Sequence, residues 1–328
     1  MKRIIDILIR IKELYKYRHL LKRGLYYASK NFKCLCISDK KQFALYNLCA
    51  KVPFIFVWIC SGESKENYSI VLLSNTTKDD RTPESIKFFD FEKKQIRTQY
   101  NSINRIMKDQ CSQLSRILLT PRIVEINTEE KYIIEEYIVA KRIDELTESE
   151  RIEIVNTVID NHTSYYPNYF KRSSLDFCLL QKSGLLCDRY CALSSGLKNI
   201  QNIEVLQHGD LTLSNLLYAN NRLYYIDFEH EEYYFFLYDV FWLIQNDFVY
   251  NNNPCLMNFY LSGNLDHKMF KLFDSVGAVY IPENRKDYFI LFLASMYNCR
   301  VNNLDSYNIG VATHSINYVL NFIDSFGK

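Results

Sequence analysis

The sequence predicts an α+β protein with a smaller, strand-rich first lobe and a larger, mostly helical second lobe. Three observations carry that reading. At 328 residues the chain has the length of about two domains or lobes. From Val52 to Ile138 apolar residues come in short β-branched and aromatic runs, and beyond Val139 they recur at helical spacing. One strand-rich island, Glu204–Ile226, interrupts the helical half. The expected organisation is a basic helical extension over 1–52, the strand-rich lobe over 53–138 and the helical lobe over 139–328.

Residues 1–27 read as an amphipathic helix, with Ile4, Leu8, Ile11 and Tyr15 on one stripe and a local charge of +6. Such a helix suits an anionic membrane surface, but the pattern is common and nonspecific, and the plainer reading is a helix packed on the body of the protein with a solvated basic face. Strands are predicted at Phe54–Cys60, Tyr68–Ser74 and Ser85–Phe91, the first two separated by the polar turn Ser61–Lys65. Ile96, Tyr100, Ile103 and Met107 then repeat at helical spacing and predict a helix over Lys94–Gln110. A hairpin follows, Pro121–Ile126 and Tyr132–Tyr137 around the polar segment 127–130. In the second lobe Thr147 and Glu150 form a capping-box pattern that opens a helix running to about Asn161. Further helices are expected at Leu175–Gln181, Leu185–Lys198, Phe235–Asp247, Leu265–Val276, Arg285–Asn302 and Ala312–Phe326.

Composition narrows the function. With 48% apolar and 24% charged residues this is an ordinary globular chain, and a net charge of +2 gives no field for nucleic acid. Glycine is scarce at 9, whereas 26 tyrosines and 21 phenylalanines must carry much of the packing. The ten cysteines miss metal-ligand spacing. In a chain of this length, whose opening residues are too charged for a signal peptide, they read as reduced, buried thiols of a cytoplasmic protein. No apolar run reaches membrane-spanning length.

The island holds the chemistry. It reads Leu206-Gln-His208-Gly-Asp210, then Asn215, two short strands joined by Asn220-Asn221, and Ile226-Asp227-Phe-Glu229. Asn-Asn is a hairpin turn, and closing it brings Asn215 and Asp227 side by side with Asp210 one loop away. Two carboxylates and an amide oxygen in one small volume suit a hard cation such as Mg2+.

This pattern resembles the catalytic segment of the protein-kinase-like superfamily, specifically its aminoglycoside phosphotransferase and choline kinase branch. His208-Gly-Asp210 with Asn215 matches H-x-D-x4-N, and Ile226-Asp227-Phe-Glu229 matches I-D-[FW]-E. The likeness spans residues 53–328 and implies a two-lobed kinase-like fold using ATP and Mg2+. It implies that Asp210 orients or deprotonates the acceptor hydroxyl, while Asn215 and Asp227 hold the metal on the phosphates. His208 and Asp239 would brace the loop. Lys87, on the third strand, would be the phosphate-binding lysine, and Ser61, Gly62 and Ser64 the loop over the phosphates. The backbone of Glu136 and Ile138 would hold the adenine edge. Gln99 stands where a helical glutamate should pair with that lysine, a departure that leaves a pseudokinase-type binding module as the alternative.

The acceptor is less legible. Glu229, Glu231 and Trp242 lie in an acidic and aromatic stretch that suits a cationic acceptor such as choline, or a solvated face followed by a core helix. The run from His208 to Trp242 also resembles phosphotransferases of bacterial surface-glycan pathways, whose acceptors are saccharides. The expected protein is a monomeric, cytoplasmic sugar or small-molecule kinase, with residues 1–27 its one segment suited to a membrane surface.

Overall fold

The computed structural model describes residues 16–21, 24–29, 33–36, 54–59, 70–73, 85–104, 112–172, 184–301 and 306–327. The chain forms two compact units, Met1–Cys111 with Pro121–Val139, and Ser112–Thr120 with Ala140–Lys328.

The first unit is built on one antiparallel sheet. Its strands are β1 (Gly24–Ser29), β2 (Lys33–Cys36), β3 (Phe54–Ile59), β4 (Ile70–Leu73), β5 (Ser85–Asp90), β6 (Gln95–Tyr100), β7 (Ile123–Asn127) and β8 (Tyr132–Glu136). They lie in the order β3-β1-β2-β4-β5-β6-β8-β7. Strand β5 alternates half-buried and buried positions, so Ile86, Phe88 and Asp90 share the covered face and Lys87 and Phe89 the opposite one. The covered face receives the segment Lys16–Leu21. There the Tyr17 ring meets Phe88 edge-on at 5.7 Å, and Leu20 and Leu21 are buried.

Two expectations are corrected here. Residues 24–29 form strand β1, so no helix runs through 1–27, and β1 and β2 join the same sheet as β3. Leu25-Tyr26-Tyr27 is a β-prone aromatic run that follows a glycine, and this outweighs the helical stripe. Residues 1–15 lie outside the described residues. The helix expected over Lys94–Gln110 is strand β6 through Tyr100, pairing with β5 and β8. The turn between β5 and β6 carries no glycine or asparagine to mark it. Asp90 makes it instead, its Oδ1 accepting the backbone N–H groups of Glu92 and Lys93 at 3.0 and 2.9 Å, while Lys94 takes a left-handed φ of 52°.

The second unit is mostly helical. Helix α1 (Glu148–Tyr169) opens with a capping box: Thr147 Oγ1 accepts from Glu150 N at 3.3 Å, and the Glu150 carboxylate accepts from Thr147 N at 3.0 Å. Its buried stripe runs from Ile154 to Tyr166. The expected helix over Leu185–Lys198 is two, α2 (Leu185–Ala192) and α3 (Ser195–Ile200), because Ser194 leaves the helical conformation and caps Leu197 N at 3.3 Å. Helix α4 (Tyr238–Tyr250) is buried over most of its surface, as a core helix must be. It begins three residues later than its pattern implied, since Glu232–Phe235 forms a strand. The remaining helices are α5 (Cys255–Leu261), α6 (Asp266–Asp274), α7 (Arg285–Val301) and α8 (Ser306–Ser325). The helix expected at Leu175–Gln181 lies outside the described residues.

Aromatic rings fill this core, as the composition required. Phe241 on α4 meets Tyr260 of α5 at 4.9 Å and Phe289 of α7 at 4.8 Å, and Phe236 meets Phe273 of α6 at 4.9 Å. One charge pair is buried among them, Arg151 of α1 with Asp247 of α4. No helix among the described residues is long and apolar enough to cross a membrane.

Candidate active site

In the second unit the site grows from three short strands: β9 (Phe170–Arg172), β10 (Ile203–Gln207) and β13 (Glu232–Phe235), with β10 in the middle. Every residue of β10 is buried, so it delivers the following segment, His208-Gly209-Asp210, from a fixed base. Gln207 locks that exit. Its Oε1 accepts from Asp239 N at 2.9 Å and Tyr166 Oη at 3.1 Å, and its Nε2 donates to Phe235 O at 2.6 Å.

The loop then turns at Gly209, whose φ is +77°. A Cβ there would fall 2.4 Å from His230 O and 2.6 Å from the Tyr234 ring, so only glycine fits. Asp239, fully buried at the start of α4, clamps the turn: Oδ2 accepts His208 N at 2.8 Å and Oδ1 accepts Gly209 N at 2.9 Å. His208 is buried too. Its Nε2 donates to Ile226 O at 2.9 Å, which leaves Nδ1 as the bare nitrogen facing Asp210 N at 3.4 Å. A histidine held at both nitrogens by backbone is a strut, not a base.

Strands β11 (Leu216–Ala219) and β12 (Arg222–Tyr225) form the expected hairpin, and Asn220 and Asn221 both take positive φ, 51° and 55°. One more bond, Ile226 N to Asn215 O at 3.1 Å, continues the ladder and sets Asn215 beside the start of the Asp227 segment. Asn215 Nδ2 donates to Asp210 O at 2.8 Å and lies 3.4 Å from Asp210 Oδ2. The structure therefore brings Asp210, Asn215 and Asp227 to one end of one hairpin.

This donor set fits a hard divalent cation. With Asn215 Nδ2 committed to Asp210, its Oδ1 is the atom left for a cation. The Asp227 carboxylate is exposed and has no partner among the described residues. Asp227 also holds a left-handed φ of 68°, a conformation that costs a non-glycine residue of order 1–3 kcal/mol and persists where the surroundings impose it.

Two acceptor candidates are corrected. Glu231 does not face a ligand: Oε2 accepts from Ser112 Oγ at 2.5 Å and Leu114 N at 3.1 Å, and Oε1 accepts from Gln113 N at 2.9 Å. It fastens the segment Ser112–Thr120 to its own unit. Trp242 is only 6% exposed and stacks on Tyr238 within the core. Glu229 remains half-exposed beside His230, at 3.6 Å.

In the first unit, Lys87 lies opposite Thr98 on the less covered sheet face. Phe89 on that face clusters with Phe91 and Tyr137, at 5.7 Å and 5.3 Å from Phe89 and Phe91 to the Tyr137 ring. The Glu136 N–H is taken by Arg122 O at 2.9 Å, whereas Ile138 has no backbone bond among the described residues. Gln99 is corrected: it lies on strand β6 opposite Ile86, on the face away from Lys87. There it receives a bond from Arg97 at 3.3 Å and donates to the carbonyls of Glu130 and Lys131. Ser61, Gly62 and Ser64 lie outside the described residues.

Sequence reasoning missed Gln207, Tyr166 and His162, which hold the loop from behind. Each is a long-range partner, so no local spacing marks it. Burial first, then the nearby Asp239 charge, hold the Tyr166 phenol well above its ordinary range, which keeps it a neutral donor.

No family model matches this chain, and no curated protein does. Solved structures similar to it include a thermostable mutant of aminoglycoside phosphotransferase APH(4)-Ia, at TM-score 0.45 and 12% identity over 80% of this chain and 97% of that one. A choline/ethanolamine kinase family protein from Mesorhizobium loti gives a TM-score of 0.43 at 10% identity, covering 78% and 88% of the two chains. Choline kinase LicA from Streptococcus pneumoniae gives 0.43 at 14% identity, covering 78% and 94%. These structures belong to the protein-kinase-like superfamily.

Proposed function

We propose that this protein is an ATP-dependent phosphotransferase that moves the γ-phosphate to a hydroxyl of a small molecule or saccharide. The observation that carries the reading is the hairpin end where Asn215 binds Asp210 through its amide nitrogen, which leaves its oxygen for a ligand, beside the segment that carries the exposed Asp227. In this reading Asp210 accepts the proton of the attacking hydroxyl, and Asn215 and Asp227 hold Mg2+. When bound, the metal would neutralise charge on the phosphates. Lys87 would attract the phosphates, and the open backbone of Ile138 beside the Phe89-Phe91-Tyr137 cluster would take the adenine. The Glu136 N–H is committed elsewhere, so that residue has only its carbonyl left to give.

A saccharide of a surface-glycan pathway is one acceptor class the motif resemblance suggests, beside other small molecules with a hydroxyl. Choline is not favoured over it, because Glu231 and Trp242 are engaged within the protein and of the three residues offered for a cationic acceptor Glu229 alone stays half-exposed. The pseudokinase alternative keeps its motive, since Gln99 lies on the face away from Lys87 and no glutamate among the described residues takes its place, and the expected loop over the phosphates holds one glycine.

The test is a thermal-shift titration with ATP, with and without Mg2+, on the wild type and on Asp227→Ala. Ligand at about 100 times its dissociation constant adds roughly 2.7 kcal/mol, a readily seen shift. A Mg2+-dependent shift that Asp227→Ala loses supports the reading. Equal shifts with and without metal, or none, overturn it.

A further inference from the structure

The first unit holds a cavity of about 480 Å3, walled on one side by the segment Lys16–Leu20 and on the other by strands β5 and β6. Ile86 pairs with Gln99 and Phe88 with Arg97, whereas Lys87 pairs with Thr98, so the cavity opens on the sheet face away from Lys87. In its floor Arg97 is only 5% exposed, and its guanidinium lies 3.7 Å from the centre of the Tyr132 ring. That stacking fixes the plane of the fork. Arg97 Nη2 donates to Gln99 Oε1 at 3.3 Å and meets the Glu130 carboxylate at 3.5 Å. The Glu130 side chain is 66% exposed, so it is a distant, water-screened partner for a buried guanidinium. The turn at the rim is tied down. Lys131 O accepts from Tyr100 N at 2.8 Å and from Gln99 Nε2 at 3.1 Å, and Asn127 Oδ1 accepts from Glu130 N at 2.8 Å.

We infer that this cavity binds a small molecule carrying one anionic group and several hydroxyls, the chemistry shared by sugar acids and sugar phosphates. Besides His19, its charged lining is Lys16, Arg97 and Lys131 against Glu129 and Glu130, an excess of one positive charge. One carboxylate or phosphate group seated on the Arg97 fork answers that excess and takes the place of the exposed Glu130 side chain. A planar guanidinium offers such a group two parallel N–H donors. A polyanion such as a nucleoside triphosphate would bring its further charges against Glu129 and Glu130. Those carboxylates accept from hydroxyls, and the Asn101 amide both donates to them and accepts from them. The Tyr17 and Tyr100 rings, with Leu20 and Ile86, supply apolar wall for the body of the ligand, and the volume is that of an ordinary small-molecule site. None of Lys87, Asp210, Asn215 and Asp227 lines the cavity, so a ligand here is independent of the phosphotransferase reading.

Isothermal titration of the full chain with glucuronate, glucose-6-phosphate and neutral glucose, each to about 20 mM, tests the site. At least one of the two anions should bind one-to-one and about tenfold or more tighter than glucose, the size expected for a charge-assisted hydrogen bond. Which anion does so distinguishes a carboxylate ligand from a phosphate one. Arg97→Lys keeps the charge but loses the fork, and it should weaken that anion about tenfold. Lys16→Glu and Lys131→Glu change exposed side chains, and each should weaken it several-fold, more at low salt than at high. Should Arg97→Lys fail to fold, these two variants carry the test. ATP with Mg2+ present throughout should leave the affinity for the anion within about twofold, since the cavity opens away from Lys87. No binding of either anion by about 20 mM, binding no tighter than that of glucose, or binding that no folded variant weakens overturns the inference. Displacement of the anion by ATP overturns it as well. A chain that binds no ATP would end the phosphotransferase reading and leave the anion result to stand by itself.

Discussion

Asn215 donates its side-chain amide to Asp210 O at 2.8 Å, and the same amide nitrogen stands 3.4 Å from the Asp210 carboxylate. One residue thus fixes the backbone that carries the candidate base and commits its own amide nitrogen in doing so. The hairpin register does the rest, since Ile226 N binds Asn215 O at 3.1 Å and Asp227 follows directly. The order H-x-D-x4-N…I-D is a description of that fold. Five residues after Asp210 the chain has turned back far enough to reach it.

Asp210→Asn should reduce turnover of ATP by about 100-fold or more, the usual contribution of a positioned base. The change is nearly isosteric, and Asn215 would keep its bond to the backbone oxygen. Chemical unfolding should therefore show stability altered by no more than about 1 kcal/mol. A loss of turnover accompanied by a collapsed unfolding midpoint would point instead to a structural role for Asp210.

Gly209→Ala should be far more damaging to the fold than its size implies. The new Cβ would meet His230 O at 2.4 Å, and a backbone carbonyl cannot swing aside as a flexible side chain can. The left-handed φ of +77° adds its own penalty of about 1 kcal/mol or more for any residue with a Cβ. A urea titration should show a loss of several kcal/mol, about 1–3 from backbone strain alone.

The acid limb of stability should carry the mark of Asp266. Arg285 reaches both of its oxygens, Nε to Oδ1 at 2.7 Å, and Tyr280 donates to Oδ1 at 2.8 Å. Burial pushes this carboxyl up, but the bonds from Arg285 and Tyr280 outweigh it and hold the group below the usual aspartate range. For an acid whose folded value is depressed, the stabilisation is fully present above the unfolded value, near pH 4. It is lost as pH falls through the lower folded value. Asp266→Asn should flatten the fall in melting temperature over that acid window. At neutral pH it should cost about 1–3 kcal/mol, the range for hydrogen bonds to a charged group.

The contrast between what the residues disclosed and what they concealed has a physical cause. The β11–β12 hairpin was legible because its turn, Asn220-Asn221, needs two positive φ values that few residues other than asparagine and glycine adopt, and its strands flank it directly. The hairpin of β5 and β6 was not legible. Asp90 makes its turn by accepting two backbone N–H groups, and Ile96, Tyr100 and Ile103 happen to repeat at helical spacing. The strand β13 and the helix α5 are both short and take their places from partners distant in sequence. At the site, the groups that face solvent lie within twenty residues of one another and could be read together. Of those that hold the loop from behind, Asp239 was legible through the family resemblance, whereas His162 and Tyr166 come from a helix distant in sequence, and only the fold reveals their bonds.

Gln99→Glu tests the corrected placement of β6 and with it the place of Lys87. If Gln99 stood on a helix facing Lys87, a glutamate there would pair with the lysine and strengthen nucleotide binding. On β6 it lies opposite Ile86, while Lys87 lies opposite Thr98, and side chains at alternate positions of a strand point to opposite faces. The Gln99 amide donates to the carbonyls of Glu130 and Lys131, the latter at 3.1 Å, and accepts from Arg97 at 3.3 Å. A carboxylate can keep only the bond from Arg97, and it would face the two carbonyls as an acceptor against acceptors. The variant should lose about 1–3 kcal/mol of stability, the cost of leaving buried groups unsatisfied, and should leave the dissociation constant for ATP within about twofold of wild type. Lys87→Ala should do the reverse. Lys87 sits on the less covered face, so its removal should barely move the unfolding midpoint, while under the proposed function the loss of its charge should weaken ATP about tenfold. Isothermal titration with ATP and Mg2+, run beside urea unfolding on both variants, separates the two residues. Tighter ATP binding by Gln99→Glu would restore the helix and the lysine–glutamate pairing that the strand register denies.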